Sequence, residues 1–221
     1  MHYVFQFNVV WEHFPELLAG AWLTIRLSAS AMALGLCLAV LCAYGKSAGP
    51  KPVRWLVAGY IELIRNTPFL VQLFFFFFGL PSLGIRLNPF SAAVLAMTVN
   101  LAAYGTEIVG AGLDAVSVGQ KEAGLALGLR RRQIFVKIVL PQALCVIFPA
   151  LTSQIIIMML ESAAVSQIAV RELTYQADLL QAKTFRAFET YFVVTLIYLA
   201  MSIILRRLMF AGGRKFLRGV S

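Results

Sequence analysis

Six residues on two apolar stretches carry the chemistry open to this chain. Asn100, Tyr104 and Glu107 stand at i, i+4 and i+7 in one stretch; Gln154, Met158 and Glu161 repeat that spacing in the next. On a helix such residues share a face. Polar side chains inside a membrane are costly and turn to the bundle interior or to a water-filled cavity. Two matching faces on consecutive apolar segments therefore describe a polar pathway. The other reading is interhelical hydrogen-bond glue, worth about 0.6–2 kcal/mol per bond. A Glu161 carboxylate facing a pathway would favour a cationic solute. Glu107 has a second role open to it, ordering the loop that follows. Glu62 and Arg65, three apart, are expected to pair with each other, which lowers the cost of charge near a bilayer.

The elements that must position these groups are membrane spans. Sixty per cent of the 221 residues are hydrophobic and 13% are charged, against about 45–50% and about 25% in soluble domains. An all-α membrane protein with a single domain over residues 1–221 is expected. Five stretches approach the roughly 20 apolar residues that a span requires: about Leu17 to Tyr44, Trp55 to Leu80, Leu87 to Val109, Ile138 to Leu160 and Phe188 to Leu205. Phe74 to Phe78 lies within the second, where bulky rings are ordinary packing. Pro68 and Pro149 are candidate kinks. Met1 to Glu16 has no Lys or Arg, so the first segment lacks the basic start of a cleavable signal and is expected to be retained. Cys37, Cys42 and Cys145 lie in apolar runs and are expected to pack as small hydrophobes. His2 and His13 have no ligand partners at metal-binding spacing.

The net charge of +9 reads as the basic excess of cytoplasmic loops rather than as a nucleic-acid surface. Lys46, Lys51 and Arg54 follow the first span. Lys121, Arg130, Arg131, Arg132 and Lys137 follow the third. Arg206, Arg207, Arg214, Lys215 and Arg218 form the tail. The opposite side has only Arg86, Arg171, Lys183 and Arg186. That asymmetry places the N-terminus outside and the C-terminus in the cytoplasm, and makes residues 114–137 a cytoplasmic loop. Residues 161–187 form an outer-face loop, expected to hold a short helix or two lying at the surface.

The cytoplasmic loop reads as a machine part. Ser117 and Gln120 fit a capping box, residues 118–127 favour helix, and Gly128 stands where a helix ends in a left-handed residue. A second helix beginning near Arg130 leads into the fourth span. Ala123, Ala126 and Leu127 share one side, small enough to enter a partner's cleft. A helix resting on the bilayer interface has the same pattern.

Two groups of motifs carry a family resemblance. Glu122-Ala123-Gly124, Gly128 and Ile138-Val139-Leu140-Pro141 resemble the Glu-Ala-Ala…Gly…Ile-x-Leu-Pro loop of ABC importer permeases, departing at Gly124, where the family has a second Ala. Tyr60 to Pro68 with Val71 to Phe75, Ala103 to Leu113, and Thr24 to Ser28 resemble the permeases of polar amino acid importers, and the likeness runs from about Leu17 to Arg207. It departs at Val109-Gly110-Ala111 and at Leu160 to Ala163. The resemblance implies a type I importer permease core of five spans with no catalytic site. It implies coupling through Glu122, Ala123, Gly124, Leu127 and Gly128 to a dimer of ATPase subunits, which hold ATP and Mg. It also implies a second permease subunit, identical or homologous, a periplasmic solute-binding protein, and a polar amino acid moved across the inner membrane. A related permease for an opine or osmolyte remains open. A secondary transporter would show inverted repeats, a scaffold would need neither the capped helix nor two polar faces, and no Gly-x-x-x-x-Gly-Lys loop is present.

Overall fold

In the computed structural model, residues 4–217 are described, with side chains through residue 213. His2, Arg218 and the side chains of Arg214 and Lys215 lie outside that description. The chain is helical throughout, and among the described residues there is no strand. Lipid explains this: only a helix or a closed barrel satisfies every backbone N–H and C=O without water.

Ten α-helices follow in order among the described residues. They are α1 (Asn8–Glu12), α2 (Phe14–Ala48), α3 (Lys51–Arg65), α4 (Phe69–Phe74), α5 (Pro89–Asp114), α6 (Val118–Ala126), α7 (Arg131–Ile134), α8 (Leu140–Glu161), α9 (Leu173–Thr184) and α10 (Ala187–Leu217). Four continuous segments are long and apolar enough to cross a membrane: α2, α5, α7 through α8, and α10. The fifth span is a bent pair, α3 with α4 and its extension, turned through 110° at a short break. The second span is thus broken rather than continuous, a larger departure than the kink expected at Pro68.

Two π-helical turns, Phe75–Gly79 after α4 and Phe135–Val139 before α8, each end two residues before a proline, Pro81 and Pro141. Proline cannot donate to the carbonyl four residues back, and the ladder widens there.

The core is made by α2 against α5. A Cβ added at Gly35 would stand 2.9 Å from Leu101, and one at Gly105 would stand 2.9 Å from Cβ of Ala39. Small residues of this kind let helices approach closely where no hydrophobic force drives them together. Thr106 Oγ1 donates to Ala102 O at 2.7 Å and reaches Ala39 O at 3.3 Å. Leu27, Ala31, Leu73, Met97, Leu101, Ile155 and Met158 close the centre. Phe74, Phe76 and Phe77 pack against it while Phe75 and Phe78 face outward. Cys37 and Cys145 are exposed, not packed, and all three cysteines are free.

The outer loop differs from expectation. Helix α9 does not lie on the surface: Leu173, Ala177 and Leu180 are buried against α2 and α10. Glu172, fully buried, caps it. Its carboxylate accepts from Tyr175 N at 2.8 Å, Tyr198 OH at 2.8 Å and Thr24 Oγ1 at 3.4 Å. The segment ahead of α2 is fastened to α10 by Gln6 N donating to Glu189 Oε1 at 2.9 Å and by Arg186 donating to Val4 O at 3.0 Å.

The seating of α9 gives two tests. A Cβ at Gly20 would stand 2.9 Å from Cα of Leu173 and 3.1 Å from C of Glu172. Those are backbone atoms that cannot step aside, so the overpacking cost of about 1–3 kcal/mol outweighs the roughly 1 kcal/mol of helix propensity gained. Gly20→Ala should lower the melting temperature in detergent; an unchanged value would mean α9 is not docked as described. Burial pushes the Glu172 carboxyl above its ordinary value of 4.5, although Thr174, Tyr198, Tyr175 and Thr24 bond to it. A raised folded pKa gives stability that is full below the unfolded value and lost as pH rises through the folded one. The melting temperature should therefore fall as pH is raised above 4.5, and Glu172→Gln should flatten that dependence. An equal slope in both proteins would remove Glu172 as its source.

Candidate coupling helix and polar face

Helix α6 ends in a complete Schellman motif. Gly128 is left-handed at φ +75. Its N–H donates to Leu125 O at 2.9 Å, and Leu129 N donates to Gly124 O at 3.0 Å. Those two bonds satisfy carbonyls that the helix end leaves free. The N-terminus is different from expectation. Ser117 holds the N-cap position without a side-chain bond, and the carboxamide of Gln120 is taken instead by Gln142 Nε2 of α8. The reciprocal cap falls one helix later, where Gln133 Oε1 accepts from Arg130 N at 2.8 Å.

Only Gly124 of α6 is buried. A Cβ there would meet Ile134 Cγ1 at 3.0 Å and Ile138 Cδ1 at 3.2 Å. Gly124 therefore seats α6 on its own chain and does not offer its close approach to a partner. Glu122, Ala123, Ala126, Leu127 and Gly128 are exposed on the other sides, Leu127 at 80%. The exposed apolar side chains Leu125 and Leu127 stand on a helix that is anchored from behind.

The polar face of α5 meets the break between α3 and α4. Asn100, 4% exposed, donates from Nδ2 to Gln72 Oε1 at 3.1 Å. The half-buried Tyr104 ring lies beneath the Arg65 guanidinium, 5.5 Å from centroid to Cζ. Glu107 binds Lys46 Nζ through Oε1 and Arg65 Nη1 through Oε2 at 3.3 Å. Arg65 thus pairs with Glu107, not with Glu62, whose Oε2 accepts from Asn66 Nδ2 at 2.8 Å. Glu107 ties the ends of α2 and α3 to α5. These ions are more than a third exposed on the basic side, so their worth is at most about 1 kcal/mol and their effect is placement. Ile61, Glu62, Arg65, Asn66 and Tyr104 bound a polar cavity of about 230 Å³.

The second face is not one surface. Met158 is 1% exposed in the apolar core with Met97 and Leu101, so it lines no pathway within this chain. Gln154 and Glu161 are half-buried and do not line the cavity at Tyr104. The structure brings Asn100, Tyr104 and Glu107 together with α2, α3 and Gln72, and among the described residues no hydrogen bond or ion pair joins Gln154 or Glu161 to them. Gln72 and Lys46 were missed as site residues. Their signal was a polar group in or beside an apolar run, but nothing in their spacing points to α5.

A membrane bundle of five spans with an anchored, outward-facing loop helix is the fold of an importer permease, and the comparisons agree. The family model described as "Binding-protein-dependent transport system inner membrane component" matches residues 35–217. The chain belongs to that family and is its membrane-spanning component, not the ATP-hydrolysing subunit. It is 35% identical over 196 residues to the probable glutamine ABC transporter permease GlnM of Bacillus subtilis, covering 89% of this chain and 91% of that one. It is 36% identical to the glutamine permease GlnP of Escherichia coli K12, covering 92% and 96%. A solved amino acid ABC transporter with histidines superposes at a TM-score of 0.89 with 35% identity, covering 96% and 100%. The MetNI methionine transporter, at 23% identity and a TM-score of 0.67, shares the fold.

Because a Cβ at Gly124 would already press on Ile134 and Ile138, the bulk of Gly124→Leu should displace α6 from them. Trypsin cleavage at Lys121 and Arg130 should accelerate several-fold in detergent. Cleavage at the native rate would show that α6 is not held there.

Proposed function

We propose that this chain is the permease subunit of an ATP-driven importer that carries a polar amino acid across the cytoplasmic (inner) membrane. The observation that carries the coupling is α6: capped by Gly128, anchored by Gly124, and bare on the side that holds Ala123, Ala126 and Leu127. The ATPase subunits bind ATP and Mg and receive α6. A second permease copy or homologue completes the pathway, and a solute-binding protein delivers the amino acid from outside. The basic loops place the N-terminus outside and α6 in the cytoplasm. The amino acid class rests on the names of relatives that cover nearly the whole chain, glutamine for GlnM and GlnP and arginine for ArtQ of Bacillus subtilis, and on polar groups at the α3–α4 break suited to a zwitterion.

The test is purification of the tagged chain from its host in mild detergent, with identification of what accompanies it. An ATPase subunit should accompany the native chain and fall at least tenfold with Leu127→Asp, whose melting temperature should stay near native because Leu127 is 80% exposed. An ATPase retained by the variant, or absent from the native preparation, would contradict the proposal.

A further inference from the structure

The break between α3 and α4 interrupts the ladder at the last α3 turn beside the polar cavity, and the carbonyls of Glu62, Leu63 and Ile64 each take a donor from the segment that follows. Glu62 O takes Asn66 N at 3.2 Å and Asn66 Nδ2 at 2.8 Å. Leu63 O takes Thr67 Oγ1 at 2.8 Å. Ile64 O takes Gln72 Nε2 at 2.7 Å, and that nitrogen also lies 3.0 Å from Thr67 O and 2.9 Å from Thr67 Oγ1. A backbone carbonyl only accepts, so the nitrogen of the Gln72 carboxamide must face the break and its oxygen must face α5. That oxygen also only accepts. Asn100 must therefore turn its Nδ2 toward Gln72, which leaves Oδ1 as its free end. Oδ1 is buried and has no hydrogen-bond partner among the described residues, although buried polar atoms are nearly always bonded.

We infer that Gln72 is a positioning residue for the solute: it locks the Asn100 carboxamide so that an acceptor, Oδ1, is held ready for a donor group of the transported molecule. Through this chain of bonds the helix break decides the polarity of a pathway residue. The inference deepens the proposed function and rests on it. A solute N–H, ammonium or amide, satisfies Oδ1 when the surrounding helices part. A solute carboxylate is repelled there.

The experiment uses the assembled permease–ATPase complex and direct binding of labelled L-glutamine and L-arginine, with the melting temperature of each variant recorded. Gln72→Met keeps the volume and removes both roles; it should weaken binding of whichever amino acid the native complex holds by about tenfold. In an Asn100→Ala background the same change should weaken it no further, because the two residues act as one unit. Gln72→Glu, whose protonated carboxyl keeps one donor and one acceptor, should bind within about threefold of native. Independent, multiplying losses from Gln72→Met and Asn100→Ala would overturn the inference, as would native binding by Gln72→Met. Should Gln72→Met not assemble, Gln72→Glu decides alone: a loss as deep as that of Asn100→Ala would overturn the positioning role. A native complex that binds neither amino acid would instead overturn the proposed function, and this inference with it.

Discussion

A helix cannot stop inside a bilayer unless the carbonyls it releases find new donors. The break between α3 and α4 meets that demand with Asn66, Thr67 and Gln72, and much of the site follows from it. With the break sealed, the two halves turn through 110°. Arg65 is carried to Glu107 and Tyr104, and Gln72 reaches Asn100. The polar face of α5 acquires Arg65 and Gln72 because the second span is folded against it, and Lys46 comes to it from α2. Without the sealing bonds, each buried unsatisfied group would cost about 1–3 kcal/mol.

The same economy of contacts operates at the loop. Gly124 lets α6 settle on Ile134 and Ile138, and Gly128 ends the helix in a conformation that a side chain would strain. Helix α6 thus rests on α7 and on the turn that follows it through packed aliphatic side chains, and α8 packs directly on α5.

The sequence made some of this legible and not the rest. Span positions, the helix over 118–127 and the left-handed end at Gly128 follow from composition and local propensity, which act within one element. The polar spacing 100–104–107 was legible for the same reason, and the structure keeps those residues on one face. What failed required knowledge of neighbours. Glu62 and Arg65 sit three apart, but Asn66 captures one and Glu107 the other. Met158 repeats the spacing of its polar neighbours and still belongs to the core, because an apolar side chain on that face packs against Met97. The loop of residues 161–187 reads as surface, yet Glu172 is buried where Thr24 and Tyr198, distant in sequence, donate to its carboxylate. Gly124 read as a place for a partner and is a place for Ile134.

An ATP-driven importer moves its amino acid only when its ATPase drives it. The direct measurement is uptake of labelled glutamine and arginine into proteoliposomes that hold the permease with its ATPase, in the presence of the binding protein. One of them should accumulate, and only when ATP, the ATPase and the binding protein are present together. Uptake that persists without the ATPase and follows an imposed proton or sodium gradient would contradict it.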